Sequence, residues 1–493
     1  MKPCRIQHCL LLAVLLVSLV VAVSSAPAEP QTPLSNPTGP AKNIILLIGD
    51  GMGFEVIGLL RDYARILENR SLHLESAMDE GDVALVHVSP ADVLVIDSAA
   101  AATALATGIK TRNGTISMTP DGESAITILE LAARAGKRTG IVTTTSISHA
   151  TPAAFAAHAF ERESEAEIAA QMADAGVDVL MGGGLAYWIP DEQKASEFAP
   201  ISRVAGADLE SKRRDDINLL EKMENSGYQI LHNRDQLLAA EDSDKILGLF
   251  AASHMPYALD RQPKDAANTP SLAQMTRLAL TALSRDEKGF FLMVEGGRID
   301  HAAHNHDAGA MLAEALEFDE AVGAALDFAR AHPQTAIFIT ADHATAAPTL
   351  SARYSDVLKD TFYPGEGSIK KIALQDISFE YLLLLLESEP SAGNLKQIVA
   401  KHFGVQITKR QAAEILRAGP LSAFHVTKPR YREYAYPMQA LARVLGTEYS
   451  MAWATVEHYS EPVILVRWGA AGEPAGYLEQ TEIFEMMKKA AGY

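Results

Sequence analysis

The sequence predicts an α/β fold built on a large, mostly parallel β-sheet, and three observations carry that expectation. Short apolar runs without polar alternation recur along the chain, as strands buried on both faces require. Several of these runs break at a glycine, an acid or a histidine and are followed by a segment suited to a helix. The polar residues suited to chemistry sit at those breaks, and the carboxyl edge of a parallel sheet gathers such residues from distant positions.

The chain has 493 residues and is 48% hydrophobic, enough for one large core or two modest ones. Residues 1–28 stand apart. Lys2 and Arg5 open a basic start, residues 10–23 are apolar except Ser18, and Ala26-Pro27-Ala28 fits small-residue cleavage. This reads as a secretory signal peptide. A retained anchor is the alternative, although the apolar stretch is slightly short of a usual span, so no stable membrane insertion is expected. Both cysteines, Cys4 and Cys9, lie inside it, so the mature chain is expected to be exported, periplasmic or extracellular, without a disulfide. Residues 29–41, rich in proline, read as a flexible lead-in, and 42–493 as the catalytic domain. The formal charge of −19 becomes more negative once Lys2 and Arg5 are removed, which argues against nucleic acid as a stable partner. A small anionic substrate remains compatible where bound metal supplies the local field.

The first strand is residues 43–48, ending in Gly49-Asp50-Gly51-Met52-Gly53 before a helix over 54–69. Asp50, flanked by glycines at a strand end, can reach a ligand while the backbone turns closely beneath it; an acidic turn residue is the alternative. The apolar run 91–96 reads as a strand passing through Asp97-Ser98 into an Ala-rich helix. A hydroxyl at such a junction meets the positive end of the helix, although Asp97 and Ser98 could simply cap it. A helix over 124–135, a strand over 139–145 and a helix over 153–158 ending near Arg162 follow. Thr151, before Pro152, reads as a helix cap. Arg162 is either a solvated helix residue or a guanidinium fork for phosphate oxygens.

Residues 177–181 form a strand ending in three glycines, 208–245 read as charged, helical surface, and 247–250 as a short strand. His254 is a loop or packing histidine. A helix over 271–283 precedes the strand 290–294 and the densest cluster of candidate ligands, from Glu295 to Asp307. Asp300 and His304 are four apart, so on a helical turn they share one face, as two ligands of a divalent ion must. Glu295 could serve a neighbouring ion, while His306 and Asp307 fit orientation or capping. After a helix over 311–330, the strand 335–340 ends in Ala341-Asp342-His343, another acid and imidazole at a strand end.

Strand-and-helix alternation stops between 346 and 455, which reads as an inserted helical subdomain packed over or beside the site. Within it Arg430, Tyr431, Arg432, Tyr434 and Tyr436 either line the inner surface or pack at the outer one. The sheet resumes near His458, with 463–466 as its last strand and a closing helix over 479–490. His458 has one merit as a ligand: Asp300 and His304 need a third protein group to hold a catalytic zinc. The mixed oxygen and nitrogen set suits zinc, with magnesium at its oxygen-rich end.

Taken in order, Asp-Gly-Met-Gly (50–53), Asp-Ser-Ala-Ala-Ala-Ala-Thr-Ala (97–104), Thr-Gly-Ile-Lys-Thr (107–111), His-Ala-Thr-Pro (149–152), Glu295 with Asp300 and His304, and Thr-Ala-Asp-His (340–343) resemble the alkaline phosphatase family. The resemblance spans about residues 42–486. It implies a large central sheet between helical layers, a homodimer, and hydrolysis of phosphate monoesters through a phosphoserine on Ser98. It also implies two zinc ions and a third ion, usually magnesium, with zinc possible there. Asp300, His304 and His458 would hold the first ion, Asp50, Asp342 and His343 the second, and Asp50, Thr151 and Glu295 the third. Arg162 would clamp the phosphoryl group. His149 and His301 stand where some members carry Asp and Lys, which implies altered third-site preference and phosphate affinity. The last histidine sits in His458-Tyr459-Ser460 rather than the family's His-Thr-Gly or His-Thr-Ala.

Two other readings compete. A two-metal phosphodiesterase would need room for a second ester group; a sulfatase is disfavoured because Ala99 to Ala102 follow Ser98 instead of its Pro/Arg pattern. A non-catalytic secreted phosphate- or metal-binding protein would need a damaged nucleophile or ligand set, and the set here is full.

Overall fold

Ile44 to Ile48 are all fully buried, although successive side chains of a strand point to opposite faces. A run of this kind is stable only in a sheet covered on both sides. The computed structural model describes residues 39–198, 210–240, 242–261, 268–355, 359–387, 389–418, 437–470 and 476–493. The expected signal peptide, nearly all of the lead-in and the Arg/Tyr group at 430–436 lie outside the described residues.

The main sheet has ten strands: β1 (Asn43–Gly49), β2 (Asp82–His87), β3 (Arg138–Ser146), β4 (Val179–Gly183), β5 (Gln229–Leu231), β6 (Ile246–Leu249), β7 (Phe290–Gly296), β8 (Thr335–Ala341), β9 (Val463–Trp468) and β10 (Tyr477–Glu479). Their order is β10-β2-β9-β8-β1-β7-β3-β4-β6-β5. Every pairing is parallel except those of β9, which runs antiparallel to both β2 and β8. One set of helices, among them Leu272–Leu283 and the 24-residue Ala308–Ala331, packs on β1, β7 and their neighbours. A second set, Ser98–Thr107, Ile128–Arg134, Ala150–Ala156 and Gln480–Ala491, packs together around the same strands. The expected α/β sandwich is present.

Register positions the chemistry. Gly49 of β1 pairs with Gly296 of β7 and with Ala341 of β8, so Asp50, Asp342 and the turn after Gly296 leave the sheet at one level. Thr143 of β3 pairs with Glu295 one step inside that edge.

Several expectations need correction. Residues 91–96 are not a strand: Val93 and Leu94 are exposed, so the run lacks the burial a strand between two helical layers needs. Asn113 ties this loop instead, donating to Val95 O at 2.9 Å and accepting from Asp97 N at 2.9 Å. The charged stretch 208–245 is not only helical surface, because it contributes the edge strand β5 and the buried Leu219, Leu220 and Met223. The strand at 463–468 is not the last, since β10 follows and pairs with β2. The helix expected at 153–158 is Ala150–Ala156, which leaves Arg162 beyond its end.

The stretch 346–455 carries five helices among its described residues, with short ladders between Pro348–Leu350 and Met451–Trp453 and between Arg353–Ser355 and Asp360–Phe362. Its helix Phe379–Glu387 begins against buried acids. Asp260 accepts from Ser378 N at 2.8 Å, and Asp307 accepts from Phe379 N at 2.6 Å. Asp307 also caps Ala308–Ala331 by accepting from Ala310 N. Carboxylates at helix starts satisfy orphan N–H groups and meet the positive dipole end.

Burial pushes the Asp260 carboxyl up to about 7, against the pull of its Ser378 hydrogen bonds and with Glu380 and Asp307 adding to the rise. A folded-state pKa above the unfolded one gives stability that is complete in acid and lost as pH climbs through about 7. Asp260→Asn keeps an oxygen acceptor but does not ionise. Denaturant unfolding at pH 5 and pH 8.5 should therefore show the variant gaining on the parent at the higher pH. Asp260→Ala strands the Ser378 N–H and should cost about 1–3 kcal/mol at both. Parallel pH slopes for parent and Asn variant would contradict the assignment.

Candidate active site

Ser98 is the first residue of its helix, and Asp97 caps that helix by accepting from Ala100 N at 3.0 Å. Every residue of Ser98–Thr107 is buried, and its alanines allow close packing against the Ala150–Ala156 helix. Asp97 uses its other oxygen twice, accepting from Gly114 N at 2.9 Å and from Arg162 Nη1 at 3.1 Å. Arg162 Nη2 donates to His149 Nε2 at 3.0 Å. The guanidinium is thus fixed beside the nucleophile candidate, not solvated on a helix.

Asp50 follows β1 and is fully buried, and neither of its carboxylate oxygens has a hydrogen-bond partner. Gly51, at φ 68°, lets the backbone pass so close to the next element that a Cβ there would lie 2.8 Å from Asp300 Oδ1. Asp342 accepts from Gly51 N and His343 N through Oδ1, while its buried Oδ2 has no hydrogen bond and lies 3.1 Å from His343 Nε2. That Nε2 is 3.6 Å from Asp50 Oδ1 and 3.2 Å from Ser98 Oγ. Thr345 donates to Asp300 Oδ1 at 2.6 Å, so towards His343 Nδ1, 3.3 Å away, its oxygen acts as acceptor. The His343 proton then sits on Nδ1, and the Nε2 lone pair faces Ser98, Asp50 and Asp342.

A second imidazole pair follows the same logic. His304 Nδ1 donates to Val456 O at 2.5 Å, and His458 Nδ1 donates to Ile96 O at 2.8 Å. Their Nε2 atoms therefore present lone pairs to each other at 3.1 Å, with Asp300 Oδ2 3.3 Å from His304 Nε2 and Asp300 Oδ1 3.7 Å from His458 Nε2. Two facing lone pairs beside a carboxylate repel unless a cation lies among them. His458 reaches this place through a two-residue ladder in which it pairs with Thr345, and Tyr459 anchors the turn by donating to Glu55 Oε2 at 2.6 Å. The unusual tyrosine after the histidine thus has a partner of its own.

Glu295 lies in β7, fully buried. Its Oε2 accepts from Thr143 and Thr145, and its Oε1 has no hydrogen bond. Thr151 does not cap: His149 stands before the helix start, and Thr151 lies inside the first turn with its hydroxyl buried. That hydroxyl is near enough to ease the Glu295 charge but makes no hydrogen bond of normal geometry.

Among the described residues, ligand atoms converge to within 4.8 Å in three sets here: Asp300, His304 and His458; Asp50, Asp342 and His343; and Asp50, His149 and Glu295. Asp50 belongs to two of them. The electrostatics ask for cations. Burial, then repulsion from Asp342, Asp300 and Glu295, pushes the Asp50 carboxyl well above its usual range. Burial pushes Asp342 up to about 8 and Glu295 up to about 7, each partly offset by its hydrogen bonds. Each buried, unpaired ion costs several kcal/mol, so orphaned oxygens and bare imidazole nitrogens fit divalent metal ions. The acid and histidine candidates expected from the sequence are therefore in this one place, with Thr151 near Glu295 and with Ser98 and Arg162 beside them; His149 rather than Thr151 completes the third set.

Sequence reasoning passed over His254. It is half-buried, its ring centroid lies 4.5 Å from that of His301 and 5.3 Å from that of His149, and its Nδ1 accepts from Ser146 N at 3.1 Å. A lone histidine in a loop carried no spacing signal. Thr345 and Arg298 were also passed over, although each lies two residues from a candidate ligand.

Comparison with known proteins agrees with this geometry. The family model described as alkaline phosphatase matches residues 41–493. Alkaline phosphatase 4 of Bacillus subtilis (strain 168) is 30% identical over 468 residues, covering 91% of this chain and 89% of its own. Alkaline phosphatase 3 of the same strain is 32% identical, covering 92% and 89%. The crystal structure of Thermus thermophilus alkaline phosphatase superposes with a TM-score of 0.80 at 28% identity, covering 94% of both chains. A match across essentially the whole described chain, joined to three ligand clusters around a buried serine, means that the protein belongs to the alkaline phosphatase family of metal-dependent phosphomonoesterases.

Proposed function

We propose that Ser98 is the nucleophile of this phosphomonoesterase and Arg162 its phosphoryl clamp. Asp300, His304 and His458 would hold one zinc ion, and Asp50, Asp342 and His343 a second beside Ser98. Asp50, Glu295 and Thr151 would hold the third ion, magnesium or zinc, with His149 at its edge. The observation that carries the reading is Ser98 Oγ at 3.2 Å from the bare Nε2 of His343, inside the cluster that Asp50 and Asp342 complete.

When bound, such ions lower the pKa of a hydroxyl and of water and offset charge on a departing oxygen. The chain does the rest. The capped helix holds Ser98 Oγ in line with phosphorus, and the bond from phosphorus to the ester oxygen breaks as the bond to Oγ forms. The alcohol leaves with a proton. Arg162, held by Asp97 and His149, offers its fork to the equatorial oxygens through both steps. Water then attacks the phosphoserine from the vacated side, returning the Oγ proton and releasing orthophosphate. Two in-line displacements give overall retention at phosphorus.

Among the described residues no helix is long and apolar enough to cross a membrane. The sequence supports cleavage after residue 28, export to the periplasm or beyond, and one catalytic domain over 42–493 that includes the helical stretch 346–455. A homodimer follows from the family reading. Mass spectrometry of the exported protein should show a chain beginning at Glu29, and sedimentation should give twice the mature mass; a retained Met1 or a monomer would contradict the respective point.

Ser98→Ala should lower kcat on an aryl phosphate roughly a thousandfold or more and abolish the acid-stable phosphoprotein trapped at low pH. A diester cleaved faster than the monoester by the parent enzyme would favour the phosphodiesterase reading instead. Metal analysis of chelator-free protein should find about two zinc ions per chain, and His458→Ala should lose about one of them, since a three-ligand site keeps little affinity with two. Unchanged zinc content in that variant would remove His458 from the ligand set.

A further inference from the structure

We infer that Arg298 is a positioning residue for this site: braced by Glu380 from the 346–455 stretch, it fixes His301 as the imidazole tautomer that carries its proton on Nε2. Arg298 opens the helix Arg298–His304, and its Nη1 lies 2.9 Å from His301 Nδ1. A guanidinium has only donors to offer. The contact is a hydrogen bond only if Nδ1 holds a lone pair, so the proton of the neutral ring must be on Nε2.

The brace is rigid for identifiable reasons. Arg298 Nη2 donates to Glu380 Oε2 at 2.6 Å, its guanidinium carbon lies 3.8 Å from the centre of the Tyr257 ring, and its backbone N–H donates to Thr144 Oγ1 at 3.1 Å. The arginine side chain is only 4% exposed. A planar fork can hold an acid with one arm and an imidazole with the other, which an ammonium on a flexible stem does less well. Glu380 sits in the first turn of Phe379–Glu387, the helix whose start is also bound by Asp260 and Asp307. The docking of that helix is therefore read out at the active site through one arginine.

The neighbouring rings are fixed in the same way. Arg162 donates to His149 Nε2, leaving the proton on Nδ1, and Ser146 N–H donates to His254 Nδ1, leaving the proton on Nε2. His301 packs edge-on against both, at 5.4 Å from His149 and 4.5 Å from His254. Three imidazoles thus each turn a lone pair to a donor and keep one N–H for another partner. An N–H favours a phosphate oxygen where a lone pair would repel it, so this inference rests on the phosphatase reading for its consequence but not for its geometry.

The test uses metal-loaded enzyme with 15N-labelled histidine, the His301 resonances being assigned by their loss in His301→Gln. The parent should show a protonated Nε2 and a bare Nδ1. Arg298→Met should give a mixture of tautomers at equal zinc content and raise the inhibition constant for inorganic phosphate about three- to tenfold. Should Arg298→Met not fold, Glu380→Ala tests the same brace and should give His301 a second, exchange-broadened population. An unchanged His301 pattern in the folded variant overturns the proposal. An inactive parent with the stated tautomer would instead sink the phosphatase reading and leave this assignment standing.

Discussion

Asp50, Asp342 and Glu295 are buried acids carried by three adjacent strands, and Asp300 follows one turn beyond β7. Parallel register leaves no freedom to separate them: once Gly49 lies beside Gly296 and Ala341, their charges share one small volume. Burial raises the carboxyl pKa values of Asp50, Asp342 and Glu295, and repulsion from neighbouring acids adds to the rise at Asp50 and Asp342. The rest of the site is an answer to that constraint. Imidazole nitrogens of His304, His343 and His458 point inward because backbone carbonyls and Thr345 occupy their other nitrogens, which prepares a place for positive charge beside the carboxylates.

The serine fits the same logic. Its helix runs with every side chain buried, so the end that presents Ser98 cannot fray or shift, and Asp97 holds both the helix cap and Arg162. One acid thereby couples the position of the nucleophile candidate to that of Arg162. Around this centre lies a ring of neutral histidines whose tautomers are set by donors, a softer layer than the carboxylates and the one most open to tuning.

Much of this was legible from the chain because buried parallel strands are long, apolar and uninterrupted, and because ligands at their ends carry distinctive residue types. Asp300 and His304 stood out as candidate ligands by helical spacing, and His458 as the candidate for a third; the fold brings the three together. What was not legible had weak local signals. Residues 91–96 are as apolar as a strand but lie mostly exposed in a loop whose backbone is held by the Asn113 side chain, a bond that no periodicity encodes. The edge strand β5, three residues within a charged stretch, is too short to show alternation. Thr151 before proline fits a cap, yet the helix starts earlier because His149 takes the extended position. The Ser146–His254 hydrogen bond and the Glu380–Arg298 brace both reach across more than eighty residues, and a sequence read locally has no means to pair them.

The two short ladders have a consequence for how such a molecule can change over time. Thr345 is tied to His458 and, just outside, Pro348–Leu350 to Met451–Trp453, so the long excursion between them leaves and returns through a narrow neck. Lengthening a segment whose ends are already joined costs little extra closure entropy. Material could be added to or trimmed from the far part of that excursion while both ends stayed seated and His458 kept its place. The neck thus lets the excursion diversify except at the helix Phe379–Glu387, which Asp260, Asp307 and Arg298 hold in place.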